Sequence, residues 1–221
     1  MIKAILFDLD NTLVDFMRMK RLACEAAVGA MIGAGLKTDR KKAMKVLFEM
    51  YDKYGMEYDR IFQVFLKRMT GRIDYGIMGA GIVAYRRVRE NLLEPYPEVM
   101  PTLRKLKRYK LGIVTDAPRI KAWIRLAAMN LQSEFDFVLT FDDTKRKKPD
   151  PRPFLMAIRK LKLRPDQIAM VGDMIEKDIE PARKLGMVTV LAKYGQITPR
   201  KSKADFEIRK FRELLKILIR T

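Results

Sequence analysis

The chain has 221 residues, 48% of them apolar and 33% charged, with a formal charge of +19 and no histidine. That length suits one domain with an elaboration or two small ones, and the scarcity of glycine and proline excludes disordered and collagen-like classes. Without histidine, Ser-His-Asp and Cys-His nucleophile systems and imidazole-based zinc sites are excluded, which leaves carboxylates, Lys, Tyr or Cys for acid-base chemistry.

The single cysteine, Cys24, cannot close an intrachain disulfide, and the N-terminal apolar run meets Asp8 too early for a signal peptide. No stretch approaches the roughly 20 apolar residues that span a bilayer. A cytoplasmic protein with no membrane partner is expected. The positive charge is spread along the chain, which favours attraction of small phosphorylated metabolites and selects no polymer, so nucleic-acid binding is not expected. Monomer and homodimer both stay open.

In chain order, residues 2–7 read as a buried strand that ends in the polar loop Asp8-Leu9-Asp10-Asn11. Apolar residues then recur at helical spacing, and four helices are predicted over residues 16–32, 39–54, 58–69 and 77–92, with glycine-containing breaks between them. After Pro95 and Pro97, strands predicted at 111–115, 137–140, 168–172, 188–191 and 206–208 alternate with helices at 119–129, 151–161, 179–185 and 211–219. The expected fold is α/β: a doubly wound, Rossmann-like parallel sheet formed by residues 1–15 and 93–221, with a four-helix cap domain inserted at 16–92.

Polar groups follow several of these strands, and in such a sheet they converge at the carboxyl edge where ligands bind. They are Asp8 and Asp10, Thr115-Asp116, Lys148 before Pro149, and Gly172-Asp173 with Asp178. Asp8 and Asp10 share a face if strand geometry persists. Adding Asp173 and Asp178 crowds carboxylates that repel unless neutralised, and a hard dication with oxygen ligands, Mg²⁺ first among them, answers that need.

Read together, Asp8-x-Asp10-x-Thr12, Thr115, Lys148 and Gly172-Asp173-x4-Asp178 resemble the four motifs of the haloacid dehalogenase superfamily, and the helical insert resembles the C1 cap of its subfamily I. The Thr-Asp pair at 115 and 116 is similar to archaeal-type members, where other members have Asn. The resemblance implies a phosphatase acting on a small phosphate monoester, with Asp8 as nucleophile and Asp10 as general acid and base. It also implies that Asp8, Asp173 and the Asp10 carbonyl hold Mg²⁺, with Asp178 as a ligand or supporting partner, and that Thr115 and Lys148 bind the phosphoryl group. Asp116 is read as a cap of the following helix, with the start of a turn before Pro118 or contact with a substrate hydroxyl as the alternatives.

Phosphoglucomutase-like transfer, 2-haloacid dehalogenation and non-catalytic anion binding are the competing readings. Dehalogenation is disfavoured because halide leaves unprotonated and needs neither Asp10 nor a metal-binding Asp173. Arg18, Lys20, Arg21, Tyr51 and Tyr54 are candidates for substrate contact from the insert, and Cys24 is read as a buried apolar residue. Three asparagines and four glutamines beside 46 Lys and Arg form a composition seen in proteins from hot environments. A melting midpoint above about 65 °C, the top of the usual mesophile cluster, is therefore expected in a calorimetric scan.

Overall fold

The computed structural model describes residues 1–218 and divides into two compact units, Met1–Phe16 with the chain from Glu94 onward, and Met17–Leu93. In the first unit six parallel strands lie in the order β3-β2-β1-β4-β5-β6. They are β1 (Ala4–Phe7), β2 (Lys110–Val114), β3 (Phe137–Leu139), β4 (Ile168–Gly172), β5 (Val188–Ala192) and β6 (Phe206–Ile208). The order reverses between β1 and β4, which pair directly with Ala4 opposite Ile168 and Phe7 opposite Val171. This is the topological switch point where open α/β sheets present ligands.

The central strands are buried along their whole length, the pattern that sequence shows as uninterrupted apolar runs. On one sheet face Ala4, Leu6, Val114, Ile168 and Met170 pack with Phe154 and Ala157 of α8 (Arg152–Leu161) and Ala182 of α9 (Glu180–Lys184). On the other, the Phe7 ring meets Phe135 edge-on at 6.0 Å and Phe211 at 5.7 Å. The crossover helix α6 (Arg119–Ala128) follows β2, while the short α7 (Phe141–Thr144) follows β3.

The second unit is made of α1 (Phe16–Gly33), α2 (Arg40–Tyr54), α3 (Ile61–Thr70) and α4 (Tyr75–Asn91), with the first residue of α1 on the sheet side of the division. Asp39 and Asp74 cap α2 and α4 by accepting from Lys42 N and Ile77 N, and left-handed Gly71 ends α3. Its core gathers Cys24, Val28, Met31, Leu47, Phe65 and Leu66. Burial raises the Cys24 thiol to about 11, which keeps it protonated and unreactive. Among the described residues no helix is long and apolar enough to cross a membrane.

Two differences from the expected elements have local causes. Helix α5 (Val99–Lys105) was not expected, because Pro95 and Pro97 read as a break before the strands. Pro101 is the third residue of that helix, in the first turn, where a missing N–H costs nothing. At the C-terminus the expected helix is a 3₁₀ turn at Phe211–Glu213 followed by α10 (Leu214–Leu218), and Ile219 lies outside the described residues. Phe154 is fully buried at the centre of one sheet face. Phe154→Ala is expected to cost about 3–5 kcal/mol, read as a lower urea midpoint at unchanged m.

Candidate active site

The chain leaves β1 at Phe7 into a tight loop in which Asn11 adopts a left-handed φ of 59° and donates its N–H to Val14 O at 2.7 Å. Strand geometry stops at Phe7, before the two acids, so the condition on which Asp8 and Asp10 would share a face is not met. The Asp8 carboxylate turns toward β4, where it joins Asp173 and Asp178 with ligand oxygens all within 4.8 Å of one another. The Asp10 carboxylate instead lies 3.2 Å from Arg125 Nη1.

Asp173 and Asp178 reach the cluster through the local geometry after β4. A Cβ on Gly172 would stand 2.4 Å from the Asp178 side chain, so only glycine admits the approach. Residues Ile175–Ile179 form a π-helical turn, a wide and rare conformation frequent at functional sites. In it Asp178 N donates to Met174 O at 2.8 Å, while Met174 N donates back to Asp178 Oδ2 at 3.0 Å. The fully buried Asp178 side chain is thereby locked in place.

Lys148 supplies the counter-charge. Its buried ammonium donates to Asp178 Oδ1 at 2.6 Å, Asp8 Oδ1 at 2.7 Å and Val114 O at 3.1 Å, which accounts for its three protons. Burial alone would lower the Lys148 pKa, but Asp178, Asp8 and Asp116 outweigh it and hold the amine charged. One cation thus faces three carboxylates. At about 4 Å two unit charges interact by about 4 kcal/mol at an effective dielectric of about 20, so the unmatched acid must bind a proton or a cation. That acid is Asp173: burial, reinforced by Asp178 and Asp8, raises its pKa to about 9. Burial also raises Asp178, to about 6, against the opposing pull of Lys148. A buried, oxygen-only trio carrying more negative charge than its lysine can neutralise fits a hard divalent cation.

Thr115 lies at the carboxyl end of β2, directly after the carbonyl that Lys148 engages, and its Oγ1 accepts from Ala117 N at 3.2 Å. That bond uses a lone pair and leaves the hydroxyl proton as the donor the group can offer. Asp116 does not cap α6, contrary to expectation. Arg119 N in the first turn of α6 donates to Asp142 Oδ2 at 2.7 Å, while Asp116 accepts from Lys148 N at 2.8 Å and pairs with Lys177 Nζ at 3.3 Å. An acceptor such as Asp suits that place because both its partners are donors. Of the residues proposed in the insert, Lys20 and Tyr51 are buried, with Lys20 Nζ donating to Met56 O and Tyr85 OH, both at 2.9 Å. Arg18, Arg21 and Tyr54 are exposed.

Sequence reasoning missed four residues around this cluster: Arg125, Lys177, Tyr194 and Gly195. The last two follow β5 at the same sheet edge, so the rule that located the other groups could have found them. Tyr194 OH donates to Thr12 O at 2.7 Å, and Thr12 Oγ1 donates to Asp173 Oδ1 at 3.3 Å, tying the β1 loop to β4 and β5. Arg125 and Lys177 sit inside helical turns and carry no comparable signal.

A family model described as haloacid dehalogenase-like hydrolase matches residues 2–186. The chain is 37% identical to the glyceraldehyde 3-phosphate phosphatase of Methanopyrus kandleri, over 99% of this chain and 97% of that one. It is 36% identical to the protein of the same name from Methanocaldococcus jannaschii, again over 99% and 97%. Among solved structures, a HAD phosphatase from Thermococcus onnurineus superposes with a TM-score of 0.73 at 28% identity, covering 98% of each chain.

A Cβ on Gly195 would stand 1.7 Å from the Asn11 carbonyl oxygen and 3.0 Å from Asp173 Cβ, so the β1 loop and Gly195 cannot both keep their places around a side chain. Gly195→Ala is expected to cost about 1–3 kcal/mol in urea denaturation and to displace the Asp8 loop. Gly79→Ala in α4, where the added carbon meets nothing within 4 Å, is the control and gains up to about 1 kcal/mol.

Proposed function

The chain belongs to the haloacid dehalogenase-like hydrolases, and on that footing we propose that it is a Mg²⁺-dependent phosphohydrolase of a small phosphate monoester, with glyceraldehyde 3-phosphate as the leading substrate. The observation that carries this reading is the Asp8 carboxylate at the switch point of the sheet, bonded to Lys148 and clustered with Asp173 and Asp178. The substrate follows from the activity named for the two archaeal relatives. A cytoplasmic site of action belongs to the same reading, supported by the lone, buried thiol of Cys24.

In this mechanism an Asp8 carboxylate oxygen bonds to phosphorus while the bond from phosphorus to the substrate oxygen breaks. The Asp10 carboxyl gives its proton to the departing alkoxide, releasing an alcohol and leaving an aspartyl-phosphate on Asp8. Water then attacks that phosphorus, its proton passes to the Asp10 carboxylate, and the bond from phosphorus to Asp8 breaks to give inorganic phosphate.

Lys148 and the Thr115 hydroxyl hold the transferring oxygens, and Asp116 fixes the backbone from which Lys148 projects. Asp8 and Asp173, with the Asp10 carbonyl, would hold Mg²⁺, and Asp178 supports them through Lys148. The bound dication supplies charge neutralisation for the phosphoryl group and for the crowded carboxylates. Retention of both Asp10 and Asp173 favours hydrolysis of a phosphate ester over displacement of halide from carbon.

The test is a panel of metabolite phosphates assayed with and without Mg²⁺ on wild type and Asp8→Asn. Expected are release of inorganic phosphate, its loss on chelation, and a fall of at least about 10³-fold in the variant. Activity that survives chelation or Asp8→Asn rejects the reading. Transfer of phosphate to a sugar hydroxyl in place of release establishes the mutase alternative, and tight salt-sensitive nucleic-acid binding without turnover establishes the non-catalytic one.

A further inference from the structure

The inward face of α6 carries Ala122, Arg125 and Leu126, spaced so that all three point at the core, and the middle one is an arginine. Arg125 is only 5% exposed. A guanidinium taken out of water is costly unless an opposite charge lies close to it. Its Nη1 lies 3.2 Å from Asp10 Oδ2, and its guanidinium carbon lies 4.4 Å from the centroid of the Phe16 ring.

Lys148 is committed to Asp8, Asp178 and a carbonyl. The two buried cations of this sheet edge therefore divide the acids between them, Lys148 serving the clustered carboxylates and Arg125 serving the one that stands apart.

From this we infer that Arg125 is a positioning residue for proton transfer: with its guanidinium carbon over the Phe16 ring, it fixes the orientation of the Asp10 carboxyl toward the departing and attacking oxygens. The inference rests on the phosphatase reading, in which Asp10 protonates the alkoxide. In this role Arg125 acts through Asp10, not on the transferring phosphoryl group. Its contribution should therefore scale with how much the leaving group needs a proton. An alkyl phosphate expels a strongly basic alkoxide and depends on that proton, whereas p-nitrophenyl phosphate expels a weakly basic phenolate and does not.

The experiment compares kcat and KM of wild type, Arg125→Met, Arg125→Lys and Asp10→Asn on glyceraldehyde 3-phosphate and p-nitrophenyl phosphate with Mg²⁺ present. Arg125→Met is expected to lower kcat on the alkyl ester about 10- to 100-fold, with KM unchanged and the aryl ester affected less than about threefold. Arg125→Lys, which keeps the charge but not the planar fork, should recover part of the alkyl loss, and it carries the comparison if the Met variant does not fold.

In an Asp10→Asn background Arg125→Met should add less than about a twofold effect, since the residue acts through Asp10. Equal losses on both esters mean a merely structural role and overturn the inference, as does no loss on either. Wild type that hydrolyses neither ester fails differently, because it removes the phosphatase reading and the Arg125 role with it.

Discussion

One buried ammonium surrounded by three buried carboxylates is the constraint on which this sheet edge is built. Lys148 can spend its three protons on two of the acids and one carbonyl, and the third acid is left with a pKa pushed to about 9. The arrangement is stable as a protein site only if a proton or a cation completes it. Several otherwise unrelated features serve it: the absent side chain at Gly172, the π-helical turn that aims Asp178, and the Asp116 carboxylate under the Lys148 backbone. From the β5 side, Tyr194 and Gly195 grip the β1 loop. Each is a short-range contact holding one acid where mutual repulsion would otherwise move it.

The parallel sheet makes this affordable because its strands end at one edge and its central strands are buried on both faces. Loops from β1, β2, β4 and β5 meet there without any long excursion, and the core below them does not depend on the charges above. Electrostatics at such an edge can be poised for chemistry while stability is supplied by the apolar layers around Phe7 and Phe154. Asp10 stands outside the trio beside Arg125, which in the proposed reaction separates proton transfer from charge neutralisation. That separation suits an ester whose leaving oxygen needs protonation, and it has no use in expelling halide.

Strand after strand was legible because a doubly buried strand must be an uninterrupted apolar run, and the acids at 8, 10, 173 and 178 were legible because each follows such a run at short range. The four helices α1 to α4 were legible from their period and the glycine breaks between them. Less legible were the placements of individual side chains. The same-face reading of Asp8 and Asp10 assumed a strand that ends at Phe7, and the capping role given to Asp116 overlooked Asp142, which follows β3 and reaches Arg119 from there. Helix α5 went unread behind the break at Pro95 and Pro97, although its Pro101 sits in the first turn, where proline is tolerated.

By itself, then, the sequence determined the order of elements, the edge at which polar groups gather and the identity of the acids and the lysine, since periodicity and strand ends are local properties of the chain. Only the tertiary structure decided which acid pairs with which base: that Lys148 bridges Asp8 and Asp178, that Asp10 belongs to Arg125, and that Lys20 is spent on Met56 and Tyr85. Those pairings join residues many positions apart and depend on ångström-scale approaches such as that of Gly195 to Asn11. Charge and period, read along a line, do not contain that information, because Coulomb energy and steric fit depend on distance in space.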